Sequence, residues 1–136
     1  MNEKLKILIV EDELISRTLL REMLSAYGIC HVATNGKEAL DVIEKSYDSP
    51  EGKFDLVCLD IMMPEMNGHE VLQKVRIIEK DLRLKGQEMT KIFMTTALSD
   101  TKNIMEAFTK GRCEAYITKP INRKKLETHL QEFHLL

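Results

Sequence analysis

The residues able to do chemistry stand at the carboxyl ends of short apolar runs. Glu11 and Asp12 follow 6–10, Asp60 follows 56–59, Thr96 closes 91–96, and Lys119 follows 114–118. Three carboxylates drawn into one crevice repel each other, and burial raises their pKa unless a cation compensates. A hard divalent ion such as Mg2+ is the simplest compensation: it takes a few carboxylate oxygens, here Asp12 and Asp60 with a backbone carbonyl from the following loop, and retains waters or phosphate oxygens. With charge neutralised, Asp60 can attack a phosphoryl group, Lys119 offers a mobile cation and Thr96 a hydroxyl. The chemistry this set supports is an acyl phosphate on Asp60.

That chemistry requires the runs to share one edge of a sheet. The run 56–59 is apolar on successive residues, as a strand buried on both faces of a parallel sheet must be, and it presents Asp60 as an exposed carboxylate where it stops. Pro64 then removes a donor, and Asn67-Gly68 supply turn chemistry before a new helix. Strands alternate with helical patterns along the whole chain, which predicts a doubly wound α/β fold with five parallel strands and helices on both faces. The order 2-1-3-4-5 sets strands 1 and 3 side by side at the switch point, so that Glu11, Asp12 and Asp60 meet.

The first helix is expected to bury Ile15, Leu19, Leu20, Met23 and Leu24 and to stop at Gly28. Asn35-Gly36 open the second, with Ala39, Leu40 and Ile43 inward. A surface loop follows at 46–53. The helix from Gly68 carries Val71, Leu72 and Val75, and 76–90 either extends it or loops out, its charged run from Glu79 to Lys85 reading as a solvated face. Ser99-Asp100 cap a helix bearing Ile104, Ala107 and Phe108 up to Gly111. Asn122 caps the last, with Leu126, Leu130 and Phe133 inward.

Composition narrows the function classes. A 136-residue chain is one domain of ordinary size, 1–136, with no output domain expected after Leu136. No apolar run approaches the roughly 20 residues that span a bilayer, and the charged start is unlike a signal peptide, so a cytoplasmic protein is expected. The net charge of -2 argues against nucleic-acid binding. Cys30, Cys58 and Cys113 lie far apart and read as reduced packing residues. His31, His69, His129 and His134 lack metal-ligand spacing.

Taken in order, Glu11-Asp12, Asp60 with Ile61-Met62-Met63-Pro64 and Asn67-Gly68, Thr96-Ala97 and Lys119-Pro120 resemble the receiver domains of two-component response regulators, over nearly the whole chain. The resemblance implies Asp60 as phosphoacceptor, and Mg2+ on Asp12, Asp60 and the backbone carbonyl of Met62 with Glu11 in the outer shell. It also implies a cis proline after Lys119 and a switch in which Thr96 moves toward the phosphate while Tyr116 turns inward. The face formed by the fourth helix, fifth strand and fifth helix then changes its affinity for a downstream protein. The phosphoryl donor is a histidine kinase or histidine phosphotransfer protein, and the domain works as a monomer or a phosphorylation-dependent dimer. Met62 and Leu98, two positions after the phosphoacceptor and the hydroxyl, offer nothing to position an attacking water. The stretch 76–90 is longer than the family's usual link.

Plainer readings compete. Glu11 and Glu13 could be solvated acids favoured by the helix dipole, Thr95 rather than Thr96 could face the site, and Tyr116 could be a packing residue. An aspartyl-phosphate phosphohydrolase would need a second acid where Met62 stands. A scaffold that kept the fold without the chemistry is the other alternative.

Overall fold

Every apolar run becomes a strand in the computed structural model, which describes residues 4–97 and 112–136. The elements are β1 (Leu5–Val10), α1 (Leu14–Leu24), β2 (Gly28–Ala33), α2 (Gly36–Ser46), β3 (Leu56–Asp60), α3 (Gly68–Asp81), a 3-10 turn (Gly86–Glu88), β4 (Lys91–Thr96), β5 (Ala115–Thr118) and a C-terminal helix (Arg123–Glu132). The five strands run parallel in the order β2-β1-β3-β4-β5, as expected. The helix expected over 99–111, and Leu98, lie outside the described residues.

Alternation sends each strand's side chains to two cores. Leu8, Val57, Leu59, Ile92 and Met94 pack on one face with Ala39, Ile43, Val71, Leu72 and Val75. Ile7, Ile9, Cys58 and Phe93 pack on the other with Leu20, Leu24, Leu126 and Leu130. The helix starts follow sequence chemistry: Asn35 Oδ1 accepts from the Glu38 N–H, Asn67 and Glu70 form a reciprocal capping box, and Asn122 caps the C-terminal helix.

Three expectations fail, each for a local reason. On α1 only Leu20 and Leu24 are buried, while Ile15 is 67% and Leu19 50% exposed. A straight helix on a sheet buries a narrower stripe than the apolar pattern suggested. Gly28 does not stop that helix, which ends at Leu24; it opens β2, where a Cβ would lie 2.3 Å from the Leu5 carbonyl oxygen. Glu79, expected on a solvated face, is wholly buried.

The Glu79 carboxylate accepts from the Tyr47 hydroxyl at 2.6 Å, the Thr90 N–H at 2.8 Å and Arg76 Nη1 at 2.6 Å. Arg76 also donates to the Thr90 carbonyl at 2.9 Å, to Glu114 Oε1 at 2.9 Å and to the Arg112 carbonyl at 3.3 Å. Glu114 Oε1 in turn accepts from the Ile92 N–H at 2.6 Å. The long 76–90 segment is thus a helix end and a tight turn, riveted to α2, β4 and the entry to β5. Only the rest of the charged run, Lys80, Asp81, Arg83 and Lys85, is solvated.

Removing the cation from a buried pair leaves an uncompensated charge, which typically costs about 3–5 kcal/mol. Arg76→Ala is therefore expected to lower the urea unfolding free energy by about that much, and Tyr47→Phe by only about 1.5–3 kcal/mol, the value of one hydrogen bond to a charged acceptor. Replacing Arg76 and Glu79 together by Met and Leu should recover most of the Arg76→Ala loss. Equal effects of the single and double changes would refute the assignment.

Candidate functional site

Asp60 is the last residue of β3, the middle strand, and Glu11 and Asp12 follow directly on its neighbour β1. The Glu11 N–H donates to the Ala33 carbonyl at 3.1 Å, carrying the β1–β2 pairing one residue past the strand. Glu11, Asp12 and Asp60 come together with one carboxylate oxygen each, all within 4.8 Å of one another. Asp12 faces solvent. Glu11 and Asp60 are each 3% exposed, so Asp60 is not the exposed strand-end carboxylate expected from sequence. The loop after it folds back over it: the Gly68 N–H donates to the Ile61 carbonyl at 2.9 Å. A Cβ on Gly68 would stand 2.4 Å from the Asp60 carbonyl oxygen, so only glycine lets this loop close.

Lys119 enters from the end of β5, its N–H bound to the Thr96 carbonyl at 2.8 Å. The Lys119–Pro120 peptide is cis. Its Nζ lies 2.5 Å from Glu11 Oε1 and 3.3 Å from Asp60 Oδ1. Asp60 Oδ1 also accepts from the Met62 N–H at 3.3 Å, while the Met62 side chain is 62% exposed.

One ammonium between two buried carboxylates leaves an excess of negative charge. Burial first, then the hydrogen bond and repulsion from Glu11, push Asp60 up to about 7, against the pull of Lys119. Glu11 moves the other way: burial opposes its ionisation, but hydrogen bonds from the Asp60 carboxyl and Lys119 outweigh it. Lys119 is raised, since its two anionic partners more than offset its own burial. One lysine does not balance the pair, and a hard divalent cation would supply the missing counter-charge.

Strand alternation separates the two threonines. Thr96 shares the sheet face of Met94 and Tyr116, while Thr95 lies on the opposite face, and both are buried. Thr96 Oγ1 has the Ala97 carbonyl at 3.4 Å. Tyr116 is half-buried against the core on that face. Glu13 is the α1 N-cap, accepting from the Ser16 N–H at 2.6 Å, and stays exposed; the bland reading fits it and fails for Glu11. Sequence reasoning passed over Arg17. Its Nη1 donates to the Glu11 carbonyl at 3.1 Å and the Asp12 carbonyl at 3.5 Å, fixing the acidic turn, and an arginine in the first turn after an acidic cluster was the available signal.

Comparison with known proteins identifies the family. The model of the response regulator receiver domain family matches residues 7–131, and the chain belongs to that family, the receiver domains of two-component signalling. It is 33% identical to the osmosensing histidine protein kinase SLN1 of Saccharomyces cerevisiae over 94% of its own length and 10% of that protein. It is 37% identical to the regulatory protein VanRB of Enterococcus faecalis over 90% of its length and 49% of that protein. The chain thus spans half or less of these relatives. Among solved structures it superposes with a TM-score of 0.80 and 28% identity on a chain from the co-crystal structure of the Saccharomyces cerevisiae histidine phosphotransfer signaling protein Ypd1 and the receiver domain of its downstream response regulator Ssk1, covering 98% of this chain and 90% of that one.

The pocket's electrostatics set a pH dependence. Folding raises the Asp60 carboxyl from an ordinary 3.8 to about 7, so the folded protein binds a proton that the unfolded chain releases. The resulting stability is complete below the lower value and is lost as pH rises through the upper one. The lowered Glu11 acts only at the acid end of the range. With chelator present, the melting temperature is expected to fall between about pH 5 and about pH 8, and Asp60→Asn should flatten that fall. Parallel curves for the two proteins would contradict the shared-proton pocket.

Proposed function

We propose that Asp60 is the phosphoacceptor of a cytoplasmic phosphorelay regulator, taking its phosphoryl group from a histidine kinase or histidine phosphotransfer protein. The observation that carries this reading is the buried Asp60 carboxylate with Lys119 Nζ at 3.3 Å and two further acids beside it. An Asp60 oxygen attacks phosphorus, the bond from phosphorus to the donor imidazole breaks, and the imidazole departs. Lys119 turns from Glu11 toward the new phosphoryl oxygens, and Thr96 supplies a hydroxyl to them.

The donor set is all oxygen and net negative, which suits a hard divalent ion. Asp12, Asp60 and the Met62 backbone carbonyl would hold Mg2+, with Glu11 outside them. When bound, the ion neutralises the anionic oxygens that would otherwise repel the Asp60 carboxylate. Exposed Leu14, Ile15 and Leu19 on α1, together with Met62, give the donor protein an apolar surface next to the acidic turn.

Output follows from Thr96 and Tyr116 lying on one face of the sheet. A shift of Thr96 toward the phosphate frees room for Tyr116 to turn inward, altering the surface of β5 and the C-terminal helix that a downstream protein reads. Met62 stands where a phosphohydrolase would carry its second acid, so the domain acts by binding rather than turnover.

Incubation with acetyl phosphate and Mg2+ is expected to add one phosphate by intact mass. Asp60→Asn should abolish the addition, and labelling that persists in the variant would sink the assignment. Mg2+ at millimolar levels should also raise the melting temperature at neutral pH, and an unmoved transition would contradict metal binding. Because neither Met62 nor Leu98 can orient water, the phosphoprotein is expected to persist for minutes or longer after donor removal. Decay within seconds, followed by phosphate release, would overturn that reading.

A further inference from the structure

We infer that the groove along the C-terminal half of α3 docks an acidic amphipathic peptide segment of a protein partner, whether or not Asp60 is phosphorylated. The groove has a volume of about 630 Å3 and is lined by Arg76, Ile77, Lys80, Leu84, Met89 and Arg112. Its apolar part is unusually open: Ile77 is 58% exposed, on a helix whose opposite face is fully packed. Its rim is cationic in a chain of net charge -2. Lys80 and Arg112 are exposed, neither has a carboxylate partner among the described residues, and no acid lines the groove among those residues. An apolar floor between two unpaired cations complements a peptide with an apolar ridge flanked by carboxylates.

The floor is also rigid. Arg76 is pinned by Glu79 and Glu114, and its Nε holds the Arg112 carbonyl at 3.3 Å, where Arg112 adopts φ of 53°. Leu84 is fixed by its N–H bond to the Glu79 carbonyl at 2.9 Å. A surface already held in place loses little freedom on binding, which favours affinity from a modest area. The segment 82–89 that completes it lies within the charged stretch 76–90. It lies at the amino ends of β4 and β5, and Asp60 at the carboxyl end of β3, so the two surfaces are separated by the length of the sheet. A contact placed there tethers a partner without reading the phosphorylation state.

The test uses the full chain and two synthetic helical peptides, each with a leucine stripe flanked by glutamates in one and by lysines in the other. Nitrogen-15 NMR titration is expected to move the amides of Ile77, Lys80, Leu84, Met89 and Arg112 with the glutamate peptide. The lysine peptide should bind at least roughly tenfold more weakly. The double variant Lys80→Glu, Arg112→Glu should reverse that preference, a gain that a merely misfolded protein could not give. Affinity should weaken with salt and be unchanged by beryllofluoride with Mg2+. Equal binding of both peptides, shifts elsewhere on the surface, or no reversal in the variant would overturn the proposal. So would self-association, or binding of duplex DNA, that the double variant abolishes, since the groove would then serve a second copy or a nucleic acid.

Discussion

Two buried carboxylates share one lysine, and the rest of the structure is organised around that imbalance. Glu11 and Asp60 meet because β1 and β3 are adjacent in the sheet, and Lys119 reaches them because β5 ends on the same edge. No local rearrangement relieves the charge: the acidic turn is held by Arg17, and the loop after Asp60 is closed through Gly68. Packing on both faces of the sheet keeps the two strand ends in place. The pocket's excess negative charge is relieved by a proton on Asp60 or by a cation from outside.

The opposite end of the sheet holds a buried carboxylate with the contrary fate. Glu79 is more deeply buried than Asp60, yet both of its oxygens are engaged, by Tyr47 and Thr90 on one and by Arg76 on the other. Desolvation alone therefore does not make a reactive group. What separates the two is whether the fold supplies enough donors: Glu79 is satisfied and serves as a rivet, whereas Asp60 has one weak N–H and half a lysine. The polar network at the amino ends also holds β4 and the entry to β5 together there.

The strands and their order were legible because buried parallel strands write themselves as continuous apolar runs, and because alternation with helices admits few topologies. The acids and the lysine that the structure brings together were legible as a set because each stands at the end of such a run. Depth of burial was not. Asp60 looked exposed because the sequence shows a strand end but not the loop that returns over it, and Glu79 looked solvated because its partners Tyr47 and Thr90 are distant in sequence. Which sheet face Thr95 and Thr96 each occupy needed the register, in which Thr95 is the residue opposite Asp60, since a shift of one residue exchanges the faces.

The misread stripe on α1 follows from the same limitation and bears on how a phosphoryl group could pass between proteins. Ile15 and Leu19 keep helical spacing with Leu20 and Leu24, so their pattern alone assigns them to the core. A helix lying on a flat sheet covers only one narrow face, and side chains a quarter-turn away are left to solvent unless a second surface arrives. Here that uncovered face borders the acidic turn, and Met62 adds a further exposed apolar group at the mouth of the pocket. Exposed apolar side chains in that position give a protein partner surface to bury. A chain whose donor is another protein needs them, because charge repulsion between an acidic pocket and a phosphorylated histidine must be offset by burial of apolar surface around it.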